Sequence, residues 1–213
     1  MRIVQVLWAP VLFLFTTQTF GQDPAKFSLV RKDKRIFIYE RWITFPNSNP
    51  PIRAREVRGD FTVACTISDA IALIRNETKV KLWQDHVSEF KVYRSKDSTY
   101  WQEYSYHDIP WPVSDQDHFL EYKIDPSSTP DKVFISFNTK PDNRLAPVRE
   151  GVTRMTLYGQ WKIEKIAGNK IRASYSIVSK PIGIPRFFTD PVVRNNLMST
   201  IKAYIDVLEG RVK

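Results

Sequence analysis

The chain has 213 residues, a formal charge of +9 and a single cysteine, Cys65. One cysteine excludes an intramolecular disulfide and a cysteine-based zinc cluster within one chain. The basic residues are scattered through "VRKDKR", "IRAREVR" and "GNKIR" rather than gathered in a block. That charge reads as solubility first and weak attraction to a membrane surface second, and nucleic acid is set aside as a partner.

Arg2 opens a short basic region, and an apolar run follows from Ile3 to Phe15. It is shorter than the roughly 20 residues of a spanning helix. Thr19 and Gly21 stand as small residues where a signal peptidase reads. Residues 1–21 are therefore expected to be a signal peptide and 22–213 one domain. An exported protein is implied, periplasmic or secreted, with a Gram-negative envelope as the expected setting. A monomer is expected.

Along the remainder, "FSLVRKDKRIFIYERW" predicts two short strands or one bent strand. "IRAREVRGDFTVACT" alternates, with Val57, Gly59, Phe61, Val63 and Cys65 on one face. The period then changes in "SDAIALIRN", a short helix with Ser68 as its expected N-cap and Asn76 at its end. "EFKVYR" and "TYWQEYSYH" predict a hairpin. In its second strand Trp101, Glu103, Ser105 and His107 share one face, and Tyr100, Gln102, Tyr104 and Tyr106 the other. The loop "DIPWPVSDQD" follows, broken by two prolines. His118, Leu120, Tyr122 and Ile124 line one side of the next strand, and Val133, Ile135 and Phe137 one side of "KVFISFNT".

Two long strands complete the sheet, turning at Gly168-Asn169. Leu157, Gly159, Trp161 and Ile163 line one side of the first, and Ile171, Ala173, Tyr175 and Ile177 one side of the second. The chain closes with a helix, Asp190 as expected N-cap, Pro191 at its first position and Gly210 as the terminating glycine. Val193, Leu197, Ile201, Tyr204 and Leu208 fall within about 80° of its arc, widened by Met198 and Ile205. So broad an apolar stripe needs an apolar partner, and the sheet supplies it. The fold class is α+β: a curved antiparallel sheet gripping a long C-terminal helix, with short helices between the third and fourth strands.

This order, with Trp83, "PWPVSDQD" (Pro110 to Asp117), Val148-Arg149 and "SKPIGIPRFF" (Ser179 to Phe188), resembles the START domain, the steroidogenic-acute-regulatory-related lipid-transfer domain of the helix-grip superfamily. The resemblance runs from Phe27 to Leu208. It departs at Gln116, where the family's loop carries arginine, and at Lys180, Pro181 and Gly183. It implies a tunnel between sheet and helix that holds a lipid or another hydrophobic small molecule, without a cofactor.

Trp101, Tyr104, Trp111, Tyr122, Phe137, Trp161, Tyr175 and Phe187 are the aromatic candidates for its lining. Leu120, Leu157, Leu197, Met198, Ile201 and Ile205 are the aliphatic ones. Glu103 and Arg149 are expected to pair and orient a polar headgroup, because a buried charge needs a partner. Trp111 is expected to pack as part of a lid over the mouth, or to touch a membrane.

Other chemistry is weaker. Asp117 and His118 are adjacent on a strand and point to opposite faces, which argues against a metal. Asp115 and Asp117 read instead as turn formers and a strand cap. No Gly-x-Ser-x-Gly or phosphate-cradling glycine loop occurs, and Cys65 reads as a buried thiol. The resemblance leaves two alternatives to a non-catalytic lipid carrier: a helix-grip cyclase or hydrolase using a pocket Glu, Tyr or His, and a ligand-free envelope interaction module.

Overall fold

The structure is a computed structural model that describes residues 26–111, 113–181 and 186–212, without the side chains of 186–191. The proposed signal segment lies outside the described residues. Among the described residues ten strands form one sheet: β1 (Ser28–Asp33), β2 (Ile36–Thr44), β3 (Arg53–Val63), β4 (Val87–Arg94), β5 (Tyr100–His107), β6 (Gln116–Ile124), β7 (Lys132–Thr139), β8 (Thr153–Arg154), β9 (Leu157–Ala167) and β10 (Lys170–Ser179). Their order is β1-β2-β3-β10-β9-β7-β6-β5-β4, with β8 beside β6. All pairs are antiparallel except β6 with β8.

The inward residues alternate as the sequence predicts. The direct neighbours Trp101–Tyr122, Tyr122–Phe137, Phe137–Gly159 and Trp161–Tyr175 bring the aromatic positions into one row. The turn at Gly168 has φ +54, a conformation glycine adopts without the Cβ penalty.

Helix α1 (Ile67–Ile74) is capped by Thr66 rather than Ser68. The Thr66 hydroxyl accepts from the Asp69 N–H while the Asp69 carboxylate accepts from the Thr66 N–H, a reciprocal box that Ser68 could not form from inside the first turn. Its C-cap is Arg75, one residue before Asn76. Helix α2 spans Arg186–Leu208, so it begins ahead of Asp190, and Pro191 lies inside it rather than at its first position. At its other end the Gly210 N–H bonds the Val207 carbonyl and the Arg211 N–H bonds the Asp206 carbonyl, with Gly210 at φ +69. This paired arrangement ends a helix cleanly and satisfies two carbonyls that would otherwise be orphaned.

The second half of α2 lies on the sheet. Ile201, Tyr204 and Ile205 are buried against Ile38, Phe61 and Trp161. Tyr204 touches the rings of Phe61, Trp83 and Trp161, and its hydroxyl donates to the Ala70 carbonyl at 2.6 Å, tying α2 to α1. Arg35 makes a two-pronged bond to Glu209 at 2.6 and 2.7 Å, which fixes the same end. Cys65 is buried near this end, and burial pushes its thiol up to about 12, so it stays protonated and unreactive.

On the outer face, Asp117 is 1% exposed and receives Arg154 in a fork at 2.6 and 2.8 Å. Arg154 also donates to the carbonyls of Ala146 and Pro147, so it pins the loop before β8 over Tyr104 and Phe119. Asp117 is thus the anchor of a partly buried ion pair rather than a strand cap. Asp115 does act as a turn former, accepting from the Ile109 N–H at 2.9 Å and from Tyr106.

Candidate functional site

The grip is not uniform. At the end held by the second half of α2, inner-face residues such as Ile38, Phe61, Ile163 and Ile171 are closed off from solvent. At the opposite end β2 and β10 finish and β9 begins, and there Glu40, Trp42, Tyr175 and Ile177 stay half-buried. Val193 and Arg194 of α2 face this end and are half-buried too, with Leu197 and Met198 buried one turn further on. Arg194 reaches Glu40 through two bonds at 2.6 and 3.0 Å, and Arg55 joins the same carboxylate at 3.6 Å. Here an ionic latch joins helix and sheet beside the apolar packing of Val193, Tyr175 and Ile177.

The floor is a row of rings. Trp101 stacks on Tyr122 at 4.9 Å, Tyr122 meets Phe137 at 5.2 Å, and Phe137 meets Tyr175 at 6.0 Å. Tyr175 stacks on Trp161 at 4.2 Å. A side chain at Gly159 would collide with the Ser176 carbonyl and the Phe137 ring, so glycine is what lets that ring lie flat across the strand. Such a surface suits a flat or chain-like apolar molecule.

One end of the row is polar. The Glu103 carboxyl, 2% exposed, accepts from the Tyr122 hydroxyl at 3.3 Å and lies 3.4 Å from His118 Nε2. On the same face Ser105 Oγ is 3.0 Å from His107 Nε2, and the His107 ring lies 5.3 Å from that of His118. The His107 ring also bonds the Asp85 backbone. Burial dominates every titration here. It raises Glu103 to about 8 and lowers His118 to about 4 and His107 to about 3. The Glu103–His118 contact is therefore a hydrogen bond between neutral groups at neutral pH, not an ion pair.

This sets a pH dependence. The folded state holds the Glu103 proton that the unfolded chain releases near 4.5, so stability falls as pH rises from about 4.5 to about 8. The two histidines act oppositely, adding stability as pH rises toward 6.5, from about 3 for His107 and about 4 for His118. Glu103→Gln is expected to remove the decline between pH 6.5 and 8 and keep the acid-side rise. Chemical denaturation across this range reads it, and an unchanged alkaline slope would contradict a neutral Glu103.

Of the residues expected to line a tunnel, Trp101, Glu103, Leu120, Tyr122, Phe137, Leu157, Trp161, Leu197, Met198, Ile201 and Ile205 lie buried on the inner side, with Tyr175 half-buried. Ile201 and Ile205 belong to the closed end. The Phe187 side chain lies outside the described residues. Three expectations need correction. Tyr104 shares the outer face with Phe119 and Ala146, as the alternation of β5 demands. Arg149 does not meet Glu103; it sits on the outer side and makes a fork to Glu89 at 2.6 and 2.7 Å. Trp111 is 91% exposed and plugs nothing among the described residues. Trp111→Ala is accordingly expected to change folding stability by less than about 0.5 kcal/mol, read by thermal unfolding.

His118, His107 and Ser105 form no motif in the sequence that marks them as a site. Their signal was present in the two-residue alternation, which sets them on the faces of Glu103 and Tyr122.

No family model and no curated relative matches the chain. Solved structures do. A STAR-related lipid transfer protein from Xanthomonas axonopodis aligns at TM-score 0.70 and 22% identity, covering 86% of this chain and 98% of its own. Human StAR-related lipid transfer protein 5 aligns at 0.72 and 13%, covering 89% of each. The Zhui aromatase/cyclase from a Streptomyces species aligns at 0.54 and 13%, covering 75% of this chain and 96% of its own. The chain has the helix-grip fold of the STAR-related lipid transfer proteins.

Proposed function

We propose that the chain takes up one hydrophobic molecule between the sheet and the first half of α2. Its apolar part lies along the Trp101–Tyr122–Phe137–Tyr175 row, and its polar part points to Glu103 and His118. The carrying observation is the burial gradient: the gripping helix closes one end of the sheet, while at the other Trp42, Tyr175 and Ile177 are only half-buried. Apolar contact supplies the affinity, at about 25 cal/mol per Å² less the cost of ordering. The lipid-transfer proteins that share the fold support a carrier without catalysis. Export to an envelope compartment, suggested by residues 1–21, gives such a carrier a setting where it meets membranes. The exposed Trp111 is a ring suited to a membrane interface.

The test is mass spectrometry of the protein purified under native conditions from its own host. A copurified intact lipid is expected. An empty protein that also fails to take up Nile red would contradict the reading. Leu197→Arg, which sets a charge on the buried stripe of α2, is expected to lower uptake at least about tenfold.

A second reading draws on one observation. Ser105 Oγ and His107 Nε2 at 3.0 Å, with His107 steadied by the Asp85 backbone, resemble a hydroxyl and its base, and the fold is shared with an aromatase/cyclase. Turnover of an added substrate that is lost in His107→Phe would favour an enzyme.

A further inference from the structure

We infer that the polar end of the site selects an uncharged headgroup bearing a hydroxyl or carbonyl oxygen, and discriminates against carboxylate and phosphate heads. The inference rests on the uptake proposed above.

It begins from where the cations are. Arg154 is spent on Asp117 and Arg149 on Glu89, both on the outer face, Arg194 and Arg55 engage Glu40 at the far rim, and Arg75 lies over the Trp101 ring at 4.7 Å and donates to the Ser98 carbonyl. The groups described around Glu103 are His118, Tyr122, Ser105 and His107, none of which carries a fixed positive charge. An anionic head placed against the Glu103 carboxyl would be desolvated among groups that carry no fixed positive charge, which is costly.

The hydrogen-bond inventory then says what is welcome. Glu103 Oε1 takes both the Tyr122 hydroxyl at 3.3 Å and the contact with His118 Nε2 at 3.4 Å. His118 Nδ1 is buried and has no partner, and Trp101 Nε1 is in the same condition. Trp101 Nε1 is an N–H donor whose unmet burial is costly, and a hydroxyl, being donor and acceptor, meets His118 Nδ1 in either tautomer. A ligand oxygen that brings lone pairs and no charge would satisfy such a donor. Buried polar groups of this kind give a site its strongest discrimination between otherwise similar guests.

The experiment uses three guests with one tail: 1-dodecanol, dodecanoate and dodecylammonium, each displacing Nile red from the delipidated protein at pH 7. Dodecanol is expected to bind at least about tenfold more tightly than either ion, equivalent to about 1.4 kcal/mol. Equal affinity for all three would overturn head recognition while leaving hydrophobic uptake intact. A preference for dodecanoate would overturn the inference outright, and a preference for dodecylammonium would show Glu103 acting as an anion, which also overturns it. Failure to bind Nile red or any guest would remove the uptake reading and this inference with it.

Discussion

Arg154→Met is expected to destabilise the fold by about 3–5 kcal/mol, because it leaves the Asp117 carboxylate buried without its cation. Asp117 is 1% exposed and its partner binds it through two short bonds, so water cannot replace the guanidinium. The same side chain holds the carbonyls of Ala146 and Pro147, so its loss also frees the loop over Tyr104 and Phe119. A fall in Tm of roughly 10 °C should accompany it. Pairing the change with Asp117→Asn should recover much of the loss, since a neutral amide is cheaper to bury than a lone carboxylate. If Arg154→Met alone unfolds no more easily than the parent, the pair contributes nothing.

Ile201→Ala is expected to cost about 2–5 kcal/mol through the cavity it leaves at the centre of the grip. Ile201 is 1% exposed, and its Cδ1 lies 2.0 Å from where a Cβ on Gly59 would stand. Knob and hole therefore share one volume. Gly59→Ala on its own must push Ile201 aside and should also destabilise. The two changes together should cost clearly less than their sum, because the added methyl fills space that the isoleucine vacates. Additive losses, measured by denaturant unfolding of all four variants, would mean the helix does not seat on Gly59.

These contacts also show what the sequence disclosed. Strands of period two put Trp101, Glu103, Tyr122, Phe137, Trp161 and Tyr175 on one side. The apolar arc from Val193 to Leu208 demanded a sheet beneath it, and Gly210 closes α2 through carbonyl bonds that a terminal glycine makes easy. What failed was pairing between distant segments. Nothing local says that Arg149 will find Glu89 or that Arg154 will find Asp117; both depend on how the loop after β7 folds over the outer face. Tyr104 differs: its ring suits a pocket, but the alternation of β5 assigns it to the face opposite Glu103. The α1 boundary is ambiguous in the sequence because Thr66 and Ser68 are both good caps, and only the reciprocal bond with Asp69 separates them.

The claim on which the functional account turns is that a guest sits against the open end of the inner face. Hydrogen exchange of the delipidated protein, with and without saturating dodecanol, tests it most directly. Slowed exchange is expected in Glu103–His107, Tyr175–Ser179 and Val193–Met198, with no change around the outer groove of about 470 Å³ that Tyr93, Leu145 and Arg149 help to line. Slowing confined to that outer groove, with the inner segments unaltered, would contradict it.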